Sequence, residues 1–192
     1  MSERSNMSVR TRMPSIDTAA APGGVTVSML DAGASYSLRI APQLAATVRE
    51  VAGFDLTGRI NTAVASDARI AARLGPDEWL LIAPSSSDDV LAGDIENALA
   101  GYFHSLVDVS HRNVAIEVSG REAPIVLNAG VPIDLDDTAF PAGSATRTVL
   151  GKAEIVLVRP GTDRVYRVEC WRSFTPYVRQ FLDEAAREFN GR

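Results

Sequence analysis

Val107-Asp-Val-Ser-His-Arg-Asn-Val-Ala-Ile-Glu-Val-Ser-Gly120, followed at once by Arg121-Glu-Ala-Pro-Ile-Val-Leu127, decides the reading of this chain. Val107, Val109, Val114, Ile116 and Val118 alternate with polar neighbours, the period of a half-buried strand. Gly120 ends the alternation, and a short amphipathic helix begins near Arg121. Working outward, the same grammar recurs on both sides.

Upstream, Val25–Leu30 and Tyr36–Ile40 read as strands. Pro42 opens a helix to about Val51, with Leu44, Val48 and Val51 on one face and Gly53 past its end. Arg69–Leu74 and Trp79–Ala83 read as a hairpin turned by Gly75-Pro76-Asp77. The polar run Ser85–Asp89 starts a helix carrying Val90, Leu91, Ile95, Ala98 and Leu99 at helical spacing. Downstream of the 121–129 helix, 130–145 is a loop. Thr146–Leu150, Ala153–Arg159 and Arg164–Cys170 then read as antiparallel strands. A closing helix follows over Phe174–Phe189, with Phe174, Tyr177, Val178, Phe181, Leu182, Ala185 and Phe189 on one stripe. Short hairpins with short helices predict an α+β fold, two related small lobes of antiparallel sheet with packed helices. The expected organisation is a flexible N-terminal arm over 1–24, a first lobe over 25–110 and a second over 111–192. The arm is rich in Ser, Thr, Ala, Pro and Gly, the composition of a disordered arm or of a segment that orders only against a partner.

The chain has 192 residues, 46% of them hydrophobic and 22% charged, enough for a sizeable core. A net charge of -5 argues against a nucleic-acid partner. No apolar run reaches the roughly 20 residues that cross a bilayer, and no secretory signal is evident. Cys170 is the single cysteine, so it reads as a buried thiol in a reduced, cytoplasmic protein. Lys152 is the one lysine among many arginines, a residue suited to interface ion pairs.

The chemistry-bearing residues form no set that reads as a reaction centre. His104 and His111 are an odd number apart on an extended chain and face opposite ways. Ser110 and His111 are strand neighbours whose side chains point apart. Asp134, Asp136 and Asp137 lack the spacing of a calcium loop. No Gly-rich phosphate loop is present. No residue is assigned as catalytic, cofactor-binding or metal-ligating. The candidate site residues are Trp171 and Arg172. They start the closing helix, with Ser173 as its expected N-cap, and an exposed Trp/Arg pair suits an interface anchor.

Arg73-Leu-Gly-Pro-Asp-Glu-Trp-Leu-Leu-Ile-Ala-Pro84 and Val107–Leu127 resemble, in order, segments of the folate-binding aminomethyltransferase superfamily, whose fold is that of the glycine cleavage T-protein. Leu74–Leu80, Asp108-Val-Ser-His-Arg112 and Glu169-Cys-Trp-Arg-Ser-Phe174 resemble more closely the gamma-subunit family of heterotetrameric sarcosine oxidases. The departures from catalytic T-proteins are specific. Their Gly-Gly-x-x-Asp-Asp stretch corresponds here to Ala65-Ser-Asp67-Ala68. Their Gly-Tyr-Thr-Gly-Glu turn corresponds to Arg159-Pro-Gly-Thr-Asp163.

The resemblance implies a noncatalytic structural subunit of a complex that demethylates sarcosine to glycine, forming peroxide and 5,10-methylenetetrahydrofolate. It implies alpha, beta and delta subunits as partners, chiefly alpha. The FAD, FMN, NAD and zinc of the complex would lie in those partners, with no cofactor in this chain. The alternative is a free-standing folate-binding protein of the T-protein kind.

Overall fold

The computed structural model describes residues 24–31, 33–66, 69–84 and 88–190. Twelve strands and four α-helices follow the order β1 (Val25–Met29), β2 (Ala34–Ile40), α1 (Pro42–Val48), β3 (Glu50–Val51), β4 (Phe54–Asp55), β5 (Thr62–Ser66), β6 (Arg69–Arg73), β7 (Glu78–Ala83), α2 (Asp88–Ala98), β8 (His104–Asp108), β9 (Asn113–Gly120), α3 (Ala123–Asn128), β10 (Ser144–Leu150), β11 (Ala153–Arg159), β12 (Val165–Trp171) and α4 (Thr175–Asn190). The expected arm falls almost wholly outside the described residues, as do Asp67, Ala68 and Ser85–Ser87.

Ten strands make one antiparallel sheet in the order β1-β9-β12-β11-β10-β5-β6-β7-β2-β8. The deciding stretch sits inside it. β9 pairs with β12 through seven residues, Val165↔Ser119 to Trp171↔Asn113, and on its other side with β1. Val118 and Ile116 therefore face the helix layer, and both are fully buried. β1, first in the chain, completes this second-half face. Val25 is buried, and its amide and carbonyl are taken by the Asn190 side chain at 2.9 and 2.8 Å.

The two halves of the sheet meet at a narrow seam. β10 and β5 share one register pair, Ser144↔Thr62, extended by bonds from the Ala63 amide to the Gly143 carbonyl at 2.7 Å and from the Ala145 amide to the Asn61 carbonyl at 3.1 Å. One face carries two helix-covered cores. Val178, Leu182 and Ala186 of α4 pack with Leu127, Ile155, Leu157, Tyr166 and Val168. Leu91 and Ile95 of α2, with Leu99 just past its end, pack with Tyr36, Leu38, Phe54, Trp79 and Leu81. A third cluster, among them Leu80, Ile82, Val109, Ala145 and Val158, joins both halves on the opposite strand face. Burying each large side chain contributes roughly 1.5–3 kcal/mol.

Three local expectations differ from the structure. The α1 helix stops at Val48 rather than near Val51, because Arg49 takes φ 62° and the chain turns back as the β3–β4 hairpin around Gly53 at φ 79°. β5 was not legible, since Thr-Ala-Val-Ala-Ser has only one large apolar side chain to show alternation. Ser173 does not cap the closing helix. A 3-10 turn over Arg172–Phe174, led by Trp171, intervenes before α4 begins at Thr175.

Candidate interaction site

Trp171 ends β12 in extended geometry, φ −64° and ψ 140°, and the 3-10 turn then swings the chain toward α4. Strand alternation puts Trp171 on the face opposite Cys170, away from the helix-covered core. Its side chain is 47% exposed, and its ring lies 6.5 Å from that of Phe174, tilted by 52°. Arg172 is exposed, but its position is fixed. Its amide donates to the Arg112 carbonyl at 2.8 Å and its Nε donates to the His111 carbonyl at 3.0 Å. The turn before β9 and the 3-10 turn after β12 thus bring two arginines, Arg112 and Arg172, together beside a half-exposed tryptophan. Planar cations and aromatic rings held on rigid elements are the groups that carry interface energy.

The other candidates are taken up by the fold. The Ser110 hydroxyl accepts the Ser35 amide at 2.9 Å and, with the Val109 amide donating to the Ser35 carbonyl at 2.8 Å, ties the chain after β8 to β2. The Ser110 side chain and amide also hold the Asp108 carboxyl below the usual carboxylate range. His104 bridges the Glu96 carboxylate at 2.9 Å and the Tyr102 carbonyl at 2.8 Å. Asp134 and Asp136 accept amides two residues on, at 2.9 and 3.0 Å, so both serve loop geometry. The Cys170 thiol is 1% exposed, and burial pushes its ionisation up, the opposite of an activated thiolate. Among the described residues, no three His, Cys, Asp or Glu side chains are grouped to hold a metal ion.

Sequence reasoning missed the ionic anchors. Arg159, 4% exposed, donates from one terminal nitrogen to Asp137 at 2.7 Å and to the Phe140 carbonyl at 2.9 Å, and from the other to the Thr162 carbonyl at 3.1 Å. Asp137 also accepts from Arg164 at 3.1 Å, and Arg164 and Arg159 together hold its carboxyl below the usual range. The Arg159–Asp163 turn is therefore locked by a buried guanidinium. Across the seam, Arg147 of β10 grips Glu78 of β7 at 2.6 and 3.3 Å, and Arg39 of β2 joins at 3.3 Å. Inside the second half, Arg167 and Glu169 pair at 2.6 Å, the Glu169 side chain only 2% exposed. The signal for these was faint, since a chain this rich in arginine scatters acid–arginine pairs throughout.

A family model described as the sarcosine oxidase, gamma subunit family matches residues 38–188. The sarcosine oxidase subunit gamma of an Arthrobacter species is 38% identical over 119 residues, which cover 60% of this chain and 56% of that one. The subunit gamma of Corynebacterium sp. strain P-1 is 35% identical over 116 residues, with the same coverage, 60% and 56%. The matched region thus spans little more than half the length of these relatives. Among solved structures, a chain of the heterotetrameric sarcosine oxidase from Corynebacterium sp. U-96, in complex with pyrrole 2-carboxylate, superposes with a TM-score of 0.74 at 26% identity, covering 86% of this chain and 85% of that one. The glycine cleavage aminomethyltransferase T from Bartonella henselae superposes with a TM-score of 0.65 at 11% identity, over 83% of this chain and 45% of that one. That second likeness is one of fold, α+β and T-protein-like.

Proposed function

The chain belongs to the sarcosine oxidase gamma subunit family, and from that premise we propose that it is the noncatalytic structural subunit of a heterotetrameric sarcosine oxidase. The complex would oxidatively demethylate sarcosine to glycine in the cytoplasm, forming peroxide and 5,10-methylenetetrahydrofolate. The alpha, beta and delta subunits are its partners, alpha chiefly. FAD, FMN, NAD and zinc reside in them, and no step of the chemistry is routed through this chain. The family match over residues 38–188 carries the reading. The use of Ser110, His104, Cys170 and the acidic loop for internal bonding supports it. The Arg159–Asp163 turn, which the resemblance matches to the folate-holding turn of T-proteins, lacks that turn's tyrosine and glutamate, and this speaks against a free-standing folate binder.

Trp171 and Arg172 are the proposed anchor on the alpha subunit. Co-expression of the four chains followed by pull-down tests this. Truncating an anchoring tryptophan or arginine typically costs about 2 kcal/mol or more in binding. Trp171→Ala and Arg172→Ala should therefore leave the isolated chain folded and weaken its capture by alpha. Unchanged capture for both would remove this corner from the interface, and failure of the wild-type chain to co-purify with any of the three would remove the assembly reading altogether.

A further inference from the structure

A pocket of about 230 Å3 lies between α1 and the chain that follows β4, far in sequence from the Trp171 corner. Pro42, Ala45 and Leu56 form its apolar wall, and Arg49, Thr57 and Arg73 are its polar members.

Arg73 is fixed. It donates to the carbonyls of Gly58 at 3.1 Å, Gly75 at 3.3 Å and Pro76 at 2.7 Å, and its guanidinium lies 4.7 Å from the centre of the buried Trp79 ring. Three of its five N–H groups are thereby used, all on neutral acceptors. Arg49 is held by its backbone, in a conformation uncommon for any residue but glycine, φ 62° and ψ −39°. Its amide donates to the Ala45 carbonyl and its carbonyl accepts the Leu56 amide, each at 2.8 Å. Persisting strain of this kind accompanies functional sites more than plain turns. Among the described residues, neither arginine is in an ion pair, although eight other arginines are. Glu50 and Asp55 are the acids next to lining residues in sequence; the Asp55 carboxylate accepts the Thr57 amide at 2.7 Å, and among the described residues neither acid is in an ion pair with Arg49 or Arg73.

The geometry points to this pocket as a binding site for a small free oxyanion, a phosphate or a carboxylate. Arg49 and Arg73, neither in an ion pair among the described residues, supply the charge, and Thr57 lines the same pocket. Arg73 is its fixed cation, and Arg49 lines it with an exposed side chain. Guanidinium forks match both oxyanions bidentately. The volume sets the class, since it falls below the roughly 300–1,000 Å3 of pockets that take drug-sized ligands or cofactors. The inference does not depend on assembly, because every member belongs to this chain.

Trp79 beneath Arg73 is a built-in reporter. In the full chain carrying Trp171→Phe, Trp79 is the remaining tryptophan. Titration with inorganic phosphate or with acetate, against sodium chloride at matched ionic strength, should give a saturable change in its emission, or saturable heat by calorimetry where emission is silent. The tighter of the two titrants identifies the preferred oxyanion. Arg49→Gln changes an exposed side chain and should raise the half-saturation concentration about tenfold, the loss of one charge-assisted contact. A signal that tracks ionic strength alone, no saturable signal in either readout, or an unchanged half-saturation in Arg49→Gln overturns the site.

Discussion

The second half of the sheet has its edge strand tied down by a helix, and the first does not. In the second, α4 lays Val178, Leu182 and Ala186 over the sheet, and Asn190 at its end clasps the backbone of β1, so the outermost strand is pinned by the last turn of the molecule. In the first, the outermost strand is β8, and Phe103 just before it is 94% exposed while Val107 within it is 51% exposed. The helix above it is shorter, α2 ending at Ala98. Both halves bury aromatics, Tyr166 and Phe140 in one, Trp79 and Phe54 in the other. The difference lies at the boundary. A long helix with a polar hook finishes one sheet edge, whereas a free strand edge beside exposed apolar groups is a feature that proteins usually cover or charge.

Removing the closing device should have the largest effect. Truncation at Ser173 deletes α4, with three buried residues and the partly buried Tyr177, Phe181, Ala185 and Phe189. At roughly 1.5–3 kcal/mol for each large side chain, the loss exceeds a typical stability of about 5–15 kcal/mol. The truncated chain should be insoluble on expression. A soluble product with a cooperative melt would mean that the second half does not rely on α4.

Single cavities test whether the contrast between halves extends to cooperativity. Leu182→Ala and Ile95→Ala each empty a fully buried site, and each should cost roughly 2–5 kcal/mol. The seam is narrow in hydrogen bonds, but the Leu80–Ala145–Val158 cluster and the Arg147–Glu78 pair cross it. One urea transition, reported alike by Trp79 in the first half and Trp171 in the second, is therefore expected for both variants. Separate transitions at the two tryptophans would make the halves independent.

The same contrast explains what could be read in advance. Period-two alternation in β9 and the α4 stripe are written in large side chains, so the second half was legible almost element by element. The first half hides its turns. Nothing in the type of Ala52 announces its positive φ, and β5 is built of small residues around one valine. The adjacency of β1 to β9 is a long-range choice, since its few valines suit either half equally, and the ladder to β9 and the Asn190 hook that hold it lie far along the chain. At the proposed site, Trp171 and Arg172 were nominated from type and position. The fixing of Arg172 through the His111 and Arg112 carbonyls was not legible, because backbone acceptors leave no mark in a sequence. Arg159 was legible as a departure from T-proteins but not as a buried cation.

Cutting the hook alone should have a smaller effect. Asn190→Ala removes two hydrogen bonds to Val25 and leaves the apolar cover in place. The expected loss is about 1–2 kcal/mol in chemical denaturation. Hydrogen exchange should localise it, with faster exchange at Val25 and Val27 and unchanged protection in β2 next to β8. Unaltered exchange at β1 would mean that pairing with β9 suffices.

The smallest expected effect lies on the seam. The Arg147 side chain, bonded to Glu78, holds that carboxyl below its ordinary 4.5, with Arg39 adding to the attraction. A carboxyl depressed in the folded chain contributes stability above the unfolded pKa, and that contribution is lost as pH falls through the folded value. The wild type should therefore lose stability below about pH 4.5 more steeply than Arg147→Met, in which Glu78 keeps only Arg39. Asp108, Asp136 and Asp137, also depressed, titrate in both proteins, so the difference between the two curves reports the carboxylates that Arg147 faces, Glu78 across the seam and Glu154 of β11 at 3.6 Å. Arg147 is 44% exposed, and pairs so open to solvent are worth about 0–1 kcal/mol, so the curves should lie close at neutral pH and converge in acid. Superimposable curves from neutral pH down to the acid transition would show that the Arg147 ion pairs add nothing, leaving the backbone bonds and the apolar cluster to join the two halves.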